Sequence, residues 1–237
     1  GTMSSNWPWY LGIKKLPKQQ PSQQARSPTM LVEPERPYIS PLRRKLRELM
    51  AAATSKPAIH LKMPPVAILL VSTQRAIGKA TTATQACMDI GLHTFTIDAY
   101  DIVNDVGGGP GGGGDVKTAG FLTSRAERAM SCGPDCCALL IRHIEALTAD
   151  RMVQSMKEIL ADARVLIATT TEVDKVPDGI RALFTHELEM SAPDEAEREG
   201  ILKSVVDERG LTLDPEVDLS SVALKTAALV AGDLVDV

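Results

Sequence analysis

Apolar residues run unbroken over Val66-Ala67-Ile68-Leu69-Leu70-Val71, with no polar position to mark an exposed face. A strand of that kind has to be covered on both sides, as the central strands of parallel sheets are. Upstream, Ser40-Pro41 supplies an N-cap and a proline at the first helical position, and Leu42, Leu46 and Leu49 recur at helical spacing. Leu42 to Ala53 therefore reads as an amphipathic helix. Downstream, a loop leads straight into a helix from Gly78 to Ile90. Further strands are predicted at His93 to Ala99, Cys137 to Ile141, Arg164 to Thr170 and Glu187 to Met190, with helical stretches near 116–130 and 149–162 between them. This alternation predicts an α/β fold, a parallel five-stranded sheet flanked by helices. After Pro193 the pattern is helical throughout: Asp194 to Glu208, a break at Gly210, then Asp218 to Thr226 and a final segment at Asp233-Leu234-Val235.

The boundaries of these patterns predict three regions. Residues 1–39, rich in Pro, Gln, Ser and Lys without periodicity, form a linker or extended arm whose large aromatic groups are Trp7, Trp9 and Tyr10. Residues 40–191 form the α/β domain, and 192–237 begin a helical subdomain that the chain's abrupt end leaves truncated. Residues 107–114, Gly-Gly-Gly-Pro-Gly-Gly-Gly-Gly, have no side chains to pack and read as a flexible surface loop.

Composition changes this picture little. At 237 residues and 44% hydrophobic the chain can bury one substantial core, but with 3% aromatic residues that core must be aliphatic. The net charge of -4 gives no general attraction to nucleic acid or anionic membrane, and the basic run Arg43 to Arg47 reads as the solvated face of the first helix. No stretch is apolar enough to span a bilayer, and no signal-peptide pattern opens the chain, which points to a soluble intracellular protein. Of the cysteines, Cys132, Cys136 and Cys137 share one loop and Cys87 stands apart. No histidine or fourth thiol follows at ligand spacing, so all four are expected to be reduced thiols without a metal.

The candidate chemistry lies where the apolar strand feeds the helix through Gly78-Lys79. In a phosphate-binding P-loop, backbone N–H groups and the helix N-terminus wrap the phosphates. A lysine reaches the terminal phosphates, and a following Ser/Thr ligates magnesium. Here Thr73 stands at the first glycine of the G-x-x-x-x-G-K-[ST] pattern, and Ala80 at the hydroxyl. Thr81 and Thr82 are rotated along the helix. Such a site also needs an acidic end on a neighbouring strand, yet Cys137-Ala138-Leu139-Leu140-Ile141 is followed by Arg142 and His143. Glu145 falls two residues too late to substitute cleanly. No catalytic residue is therefore assigned, and the ligand-binding candidates are Ile77, Gly78, Lys79, Ala80 and Thr81. Lys79 is either a nucleotide contact or a helix N-terminal lysine kept for packing.

In this order, Met63-Pro64-Pro65, Gly78-Lys79, Arg142-His143, Ala168-Thr169-Thr170-Thr171, Pro177-Asp178-Gly179-Ile180-Arg181 and Ala192-Pro193-Asp194-Glu195-Ala196-Glu197-Arg198 resemble the P-loop AAA+ ATPases from about Pro41 onward. Ile77-Gly78-Lys79-Ala80-Thr81, Met88 to His93 and Phe184-Thr185-His186-Glu187-Leu188-Glu189 look more narrowly like the first, degenerate ATPase domain of the fungal peroxisome-biogenesis members. The resemblance implies a helical lid after residue 192, a sensor position at Thr171 where the family has asparagine, and no arginine finger around Phe184 to His186. It implies ATP held without hydrolysis, and a hetero-hexameric ring with a related AAA+ ATPase, peroxin-one. It further implies a protein substrate, the ubiquitinated import receptor, and recruitment from the cytoplasm to the peroxisomal membrane through regions outside this chain. No nucleic-acid partner is expected. Two other readings stay open: a self-sufficient P-loop NTPase using Lys79, Thr81 and His143 or Glu145, and a protein-binding adaptor that holds no nucleotide.

Overall fold

The computed structural model describes residues 39–106 and 114–234. The arm over 1–39, except its last residue, and positions 107–113 of the glycine-rich run lie outside the described residues, so the expectations for Trp7, Trp9 and that loop do too.

Five parallel strands stand in the order β2-β3-β4-β1-β5: β1 Val66–Val71, β2 His93–Asp98, β3 Cys137–Arg142, β4 Val165–Thr170 and β5 His186–Glu189. The sheet predicted from alternation is the sheet found. β1 and β4 run in register from Val66 opposite Val165 to Val71 opposite Thr170, while Ile141 lies opposite Ala168. Their carboxyl ends therefore finish nearly level.

The continuous apolar runs are explained by two cores. Ala67, Leu69, Leu139, Ile141, Leu166 and Ala168 point to one face, and Ile68, Leu70, Ala138, Leu140, Val165 and Ile167 to the other. This is the two-residue period of a strand with both faces dry. The first face is covered by α4 Ala99–Val106, α5 Gly114–Met130, α6 Asp150–Asp162 and the short α7 Asp178–Arg181. The second is covered by α1 Pro41–Thr54 and α3 Lys79–Asp89, through Leu46, Met50, Ala83 and Cys87.

Three helices, α2 Lys56–His60, α4 and the short α7, were not predicted. α2 is a single turn capped by Ser55, too short for periodicity to register. α4 follows β2 without a connecting loop, and Ala99 and Ile102 bury its inner face. The basic run also needs correcting as a solvated face. Arg44 and Lys45 are exposed, but Arg43 donates twice to Asp89 at 2.7 Å, tying α1 to the end of α3. The guanidinium holds the Asp89 carboxyl below its usual range.

The last helices are α8 Glu195–Glu208, α9 Leu219–Lys225 and α10 Ala231–Leu234. α8 opens with a reciprocal capping box between Asp194 and Glu197. Its Arg198 is buried, donating from Nε to the Ala223 carbonyl at 2.9 Å and from Nη1 to that of Pro193 at 2.8 Å. Around this strut Leu202, Ala223 and Leu234 make a small apolar core. All four cysteines are free thiols; Cys132 and Cys137 approach to 2.9 Å between sulfurs, and burial first, then Cys132, pushes the Cys137 thiol up to about 12.

Arg164 joins the sheet to the first helix. Its Nε and Nη2 donate to the Ala53 carbonyl at 3.1 and 2.9 Å, and its Nη1 donates to the Met63 carbonyl. It thereby satisfies one of the orphan carbonyls that end α1. Replacing it with alanine is expected to cost about 1.5–3 kcal/mol, the range for hydrogen bonds from a charged group. Urea unfolding of Arg164→Ala against the parent measures this; an unchanged midpoint would mean the strut carries no stability.

Candidate functional site

The chain connections diverge at β1: β4 lies to one side of it and β5 to the other. In open α/β sheets the crevice outside the carboxyl ends of the strands at such a switch point is where ligands bind. A cavity of about 990 Å³ lies there, lined by the loop after β1, the ends of β3, β4 and β5, and parts of α8 and α10.

The loop is shaped by backbone conformation. Ala76 and Gly78 are left-handed, with φ of 54° and 89°. Gly78 is the N-cap of α3, and no side chain caps that helix. The first-turn N–H groups of Lys79, Ala80 and Thr81 take no hydrogen bond among the described residues. Three donors at the positive end of a helix are thus open to an anion. Ile77 is 2% exposed and anchors the loop in the apolar interior.

Lys79 is 9% exposed, and its Nζ donates to Ser72 Oγ at 2.5 Å. Ser72 in turn donates to the Gln74 carbonyl at 2.7 Å, and its N–H donates to the Thr170 carbonyl. Lys79 is therefore held back against the strand end, within the cavity wall. Burial lowers its pKa and the charge of Glu145 raises it.

Glu145 was passed over in the sequence. β3 ends at Arg142, His143 turns left-handed at φ 57°, and a 3-10 turn over Ile144–Ala146 brings Glu145 back into the wall beside Lys79. Its carboxylate is 3% exposed; Oε1 lies 3.5 Å from His143 Nδ1, and Oε2 has no hydrogen-bond partner. The reversed turn at His143, whose ring also lies 3.8 Å from Asp98 and 4.9 Å from the Tyr100 ring, is the feature spacing could not reveal. Arg142 is exposed, lines the same cavity and makes no ion pair among the described residues.

Ala80, Thr81 and Thr171 line the cavity with Gly78 and Lys79, so the structure brings the sequence candidates together. Ile77 holds the loop from beneath. Ala80 carries no oxygen, and Thr81 is exposed on the helix. Thr171 follows the end of β4, where Thr170 accepts a hydrogen bond from the Glu172 N–H at 3.0 Å. Around the expected arginine-finger position, Thr185 is hydrogen bonded to the Ala67 backbone and Arg181 forms a bidentate pair with Glu187 at 2.8 and 2.9 Å. α10 closes one side: the Gly232 N–H donates to the Ala76 carbonyl at 3.1 Å, and a Cβ at Gly232 would come within 3.2 Å of the Ala76 side chain.

The open first-turn N–H groups and Lys79 around one cavity suit this loop to a polyphosphate. The sequence model for the ATPase family associated with various cellular activities matches residues 69–192. The chain belongs to this AAA family. Across its full length it is similar to the peroxisomal ATPase PEX6 of Neurospora crassa at 77% identity, of Colletotrichum orbiculare at 67% and of Penicillium chrysogenum at 59%. It spans 17%, 17% and 16% of those relatives' lengths respectively. The AAA match runs from Leu69 within β1 to beyond the end of β5, including the whole strand-end wall of the cavity. No helix among the described residues is long and apolar enough to cross a membrane.

Glu145 is the carboxylate that raises the pKa of Lys79 against the effect of burial. Glu145→Gln removes that charge, so the lysine pKa should fall further. An NMR titration of the Lys79 side chain checks the sign; an unchanged or higher value would mean that the two groups do not sense each other.

Proposed function

We propose that this chain is a non-hydrolysing AAA+ ring domain of a peroxisomal protein-extraction motor, which holds ATP and contributes structure while a separate domain supplies the turnover. The observation that carries the reading is the wall facing Lys79: Ala80 offers no hydroxyl, and β3 ends in Arg142 and His143 where hydrolysis needs acids. Loss of a general base alone removes about 10²–10⁴ in rate. Without metal-centred charge neutralisation and a water-positioning group, phosphoryl transfer loses its main source of transition-state stabilisation.

Gly78, Lys79, Ala80 and Thr81 would hold the phosphates, the first-turn N–H groups meeting the oxygens and the Lys79 ammonium reaching the terminal group. Ile77 would keep the loop in shape. Thr171, in place of the family's asparagine, is poorly suited to position a water. With Thr185 bonded to the Ala67 backbone of β1 and Arg181 paired to Glu187, this domain would also give a neighbouring subunit no arginine finger.

The peroxisomal assignment is supported by relatives named peroxisomal ATPase. On it, the domain stacks in a hetero-hexameric ring with the related ATPase peroxin-one. The ring works on a protein substrate, the import receptor being recycled, at the cytoplasmic face of the peroxisomal membrane. Membrane recruitment would come from segments outside this chain, and no nucleic acid is involved.

Buried Glu145 beside Lys79 favours one second reading, a slow self-sufficient NTPase with Glu145 as base. A turnover assay on the purified chain separates the two. ATP hydrolysis is expected at background, while Lys79→Ala weakens ATP binding by about tenfold or more, as loss of a charge-assisted hydrogen bond should. Steady hydrolysis abolished by Glu145→Gln would overturn the non-hydrolysing reading.

A further inference from the structure

A P-loop site ordinarily binds its nucleotide with Mg²⁺, held between the phosphates, a hydroxyl on the first helical turn and a carboxylate at a neighbouring strand end. The residues of this site do not fit that ion. Ala80 has no oxygen to give. Because Ile141 lies opposite Ala168, Arg142 comes level with Thr169 and within two residues of the Ser72–Thr170 backbone bond that starts the phosphate loop. The strand-end position next to the loop is therefore occupied by a guanidinium. It lines the cavity, is exposed, and makes no ion pair among the described residues.

Among the described residues Glu145 is the carboxylate whose charge acts on Lys79, and its partnerless Oε2 is the observation that would favour a metal. Ala80 brings no first-turn hydroxyl to join that carboxylate, so the protein's usual share of the Mg²⁺ shell, the rest being phosphate and water oxygens, is incomplete. Glu145 enters from the turn after His143, its other oxygen is 3.5 Å from that ring, and its negative charge already faces the Lys79 ammonium. A dication there would have to approach both Lys79 and Arg142 at short range, where like charges repel strongly in a partly dry wall.

We propose that this site takes a nucleoside triphosphate in its metal-free form, with Arg142 and Lys79 supplying the neutralising charge that Mg²⁺ supplies in active P-loop enzymes. The inference rests on the nucleotide-holding reading above. Arg142 suits the role chemically: the planar fork of a guanidinium can donate two parallel hydrogen bonds to a phosphate. The free triphosphate is the more highly charged anion, so it gains more from two fixed cations than its magnesium complex does. The same substitution accounts for retention without turnover, since a guanidinium can neutralise phosphate oxygens yet cannot carry or polarise a water as a metal ion does.

The test is calorimetric titration of the chain with ATP at matched ionic strength, once in EDTA and once in excess MgCl₂. Binding is expected to be tighter in EDTA. Arg142→Asp should weaken the EDTA-condition affinity by about tenfold or more, as removal of a charged phosphate contact does. Combined with Ala80→Thr it should make binding depend on Mg²⁺. Arg142 is exposed, and a thermal melt of each variant, with Arg142→Gln as a second, verifies folding. Binding of the parent chain that tightens about tenfold on adding Mg²⁺, or that ignores both Arg142 substitutions, overturns the proposal and leaves nucleotide holding intact. Absence of binding in both buffers overturns nucleotide holding itself, and this proposal with it.

Discussion

The dryness of both faces of the sheet constrains everything else in the structure. Because β1, β3 and β4 are apolar above and below, no polar group can sit within their length without losing its hydrogen bonds, and chemistry is displaced to the strand ends. At those ends the connection leaving β1 runs toward β2 while the one leaving β4 passes the other way to β5, opening a crevice between the two adjacent strands. Ser72, Thr170, Thr171, Arg142 and Glu145 all appear within three residues of a strand terminus. The polar content of the site is thus a consequence of where the apolar runs stop.

That constraint explains why the fold was legible. Unbroken runs such as Val66–Val71 have few ways to satisfy their backbone and their burial together, and a parallel, doubly covered strand is the commonest. The boundaries of β1 and β3 lie within a residue of expectation, as do those of α8 with its capping box. α4 was missed because nothing separates it from β2, although Ala99, Ile102, Val103 and Val106 carry the i, i+3, i+4, i+7 spacing of a helix. The paired role of Arg43 was not visible either, since its partner Asp89 lies on another helix and sequence distance conceals the contact.

Site composition was legible residue by residue, but its geometry was not. Gly78-Lys79 after an apolar strand implies a loop of this kind, and the structure adds the left-handed Ala76 and the Ser72 contact to Lys79. Glu145 illustrates the limit of reasoning by offset. Counting along an extended chain puts it past the site, and only the left-handed turn at His143, unusual for a residue with a side chain, folds it back.

Glu145 also shows that the charges of the site act together. A buried carboxylate with one partnerless oxygen would ordinarily be costly, and here it is offset by the ammonium of Lys79 and the nearby imidazole. Lys79 needs that partner equally, because burial alone would favour its neutral form. On the nucleotide-holding reading, Glu145 would act as a counter-charge that partly offsets the effect of burial on Lys79. On the same proposed reading Arg142, exposed and without an ion-pair partner among the described residues, is the cation left to meet an incoming phosphate. The two residues would then divide the work by depth, Glu145 beside the loop lysine in the wall and Arg142 in the cavity.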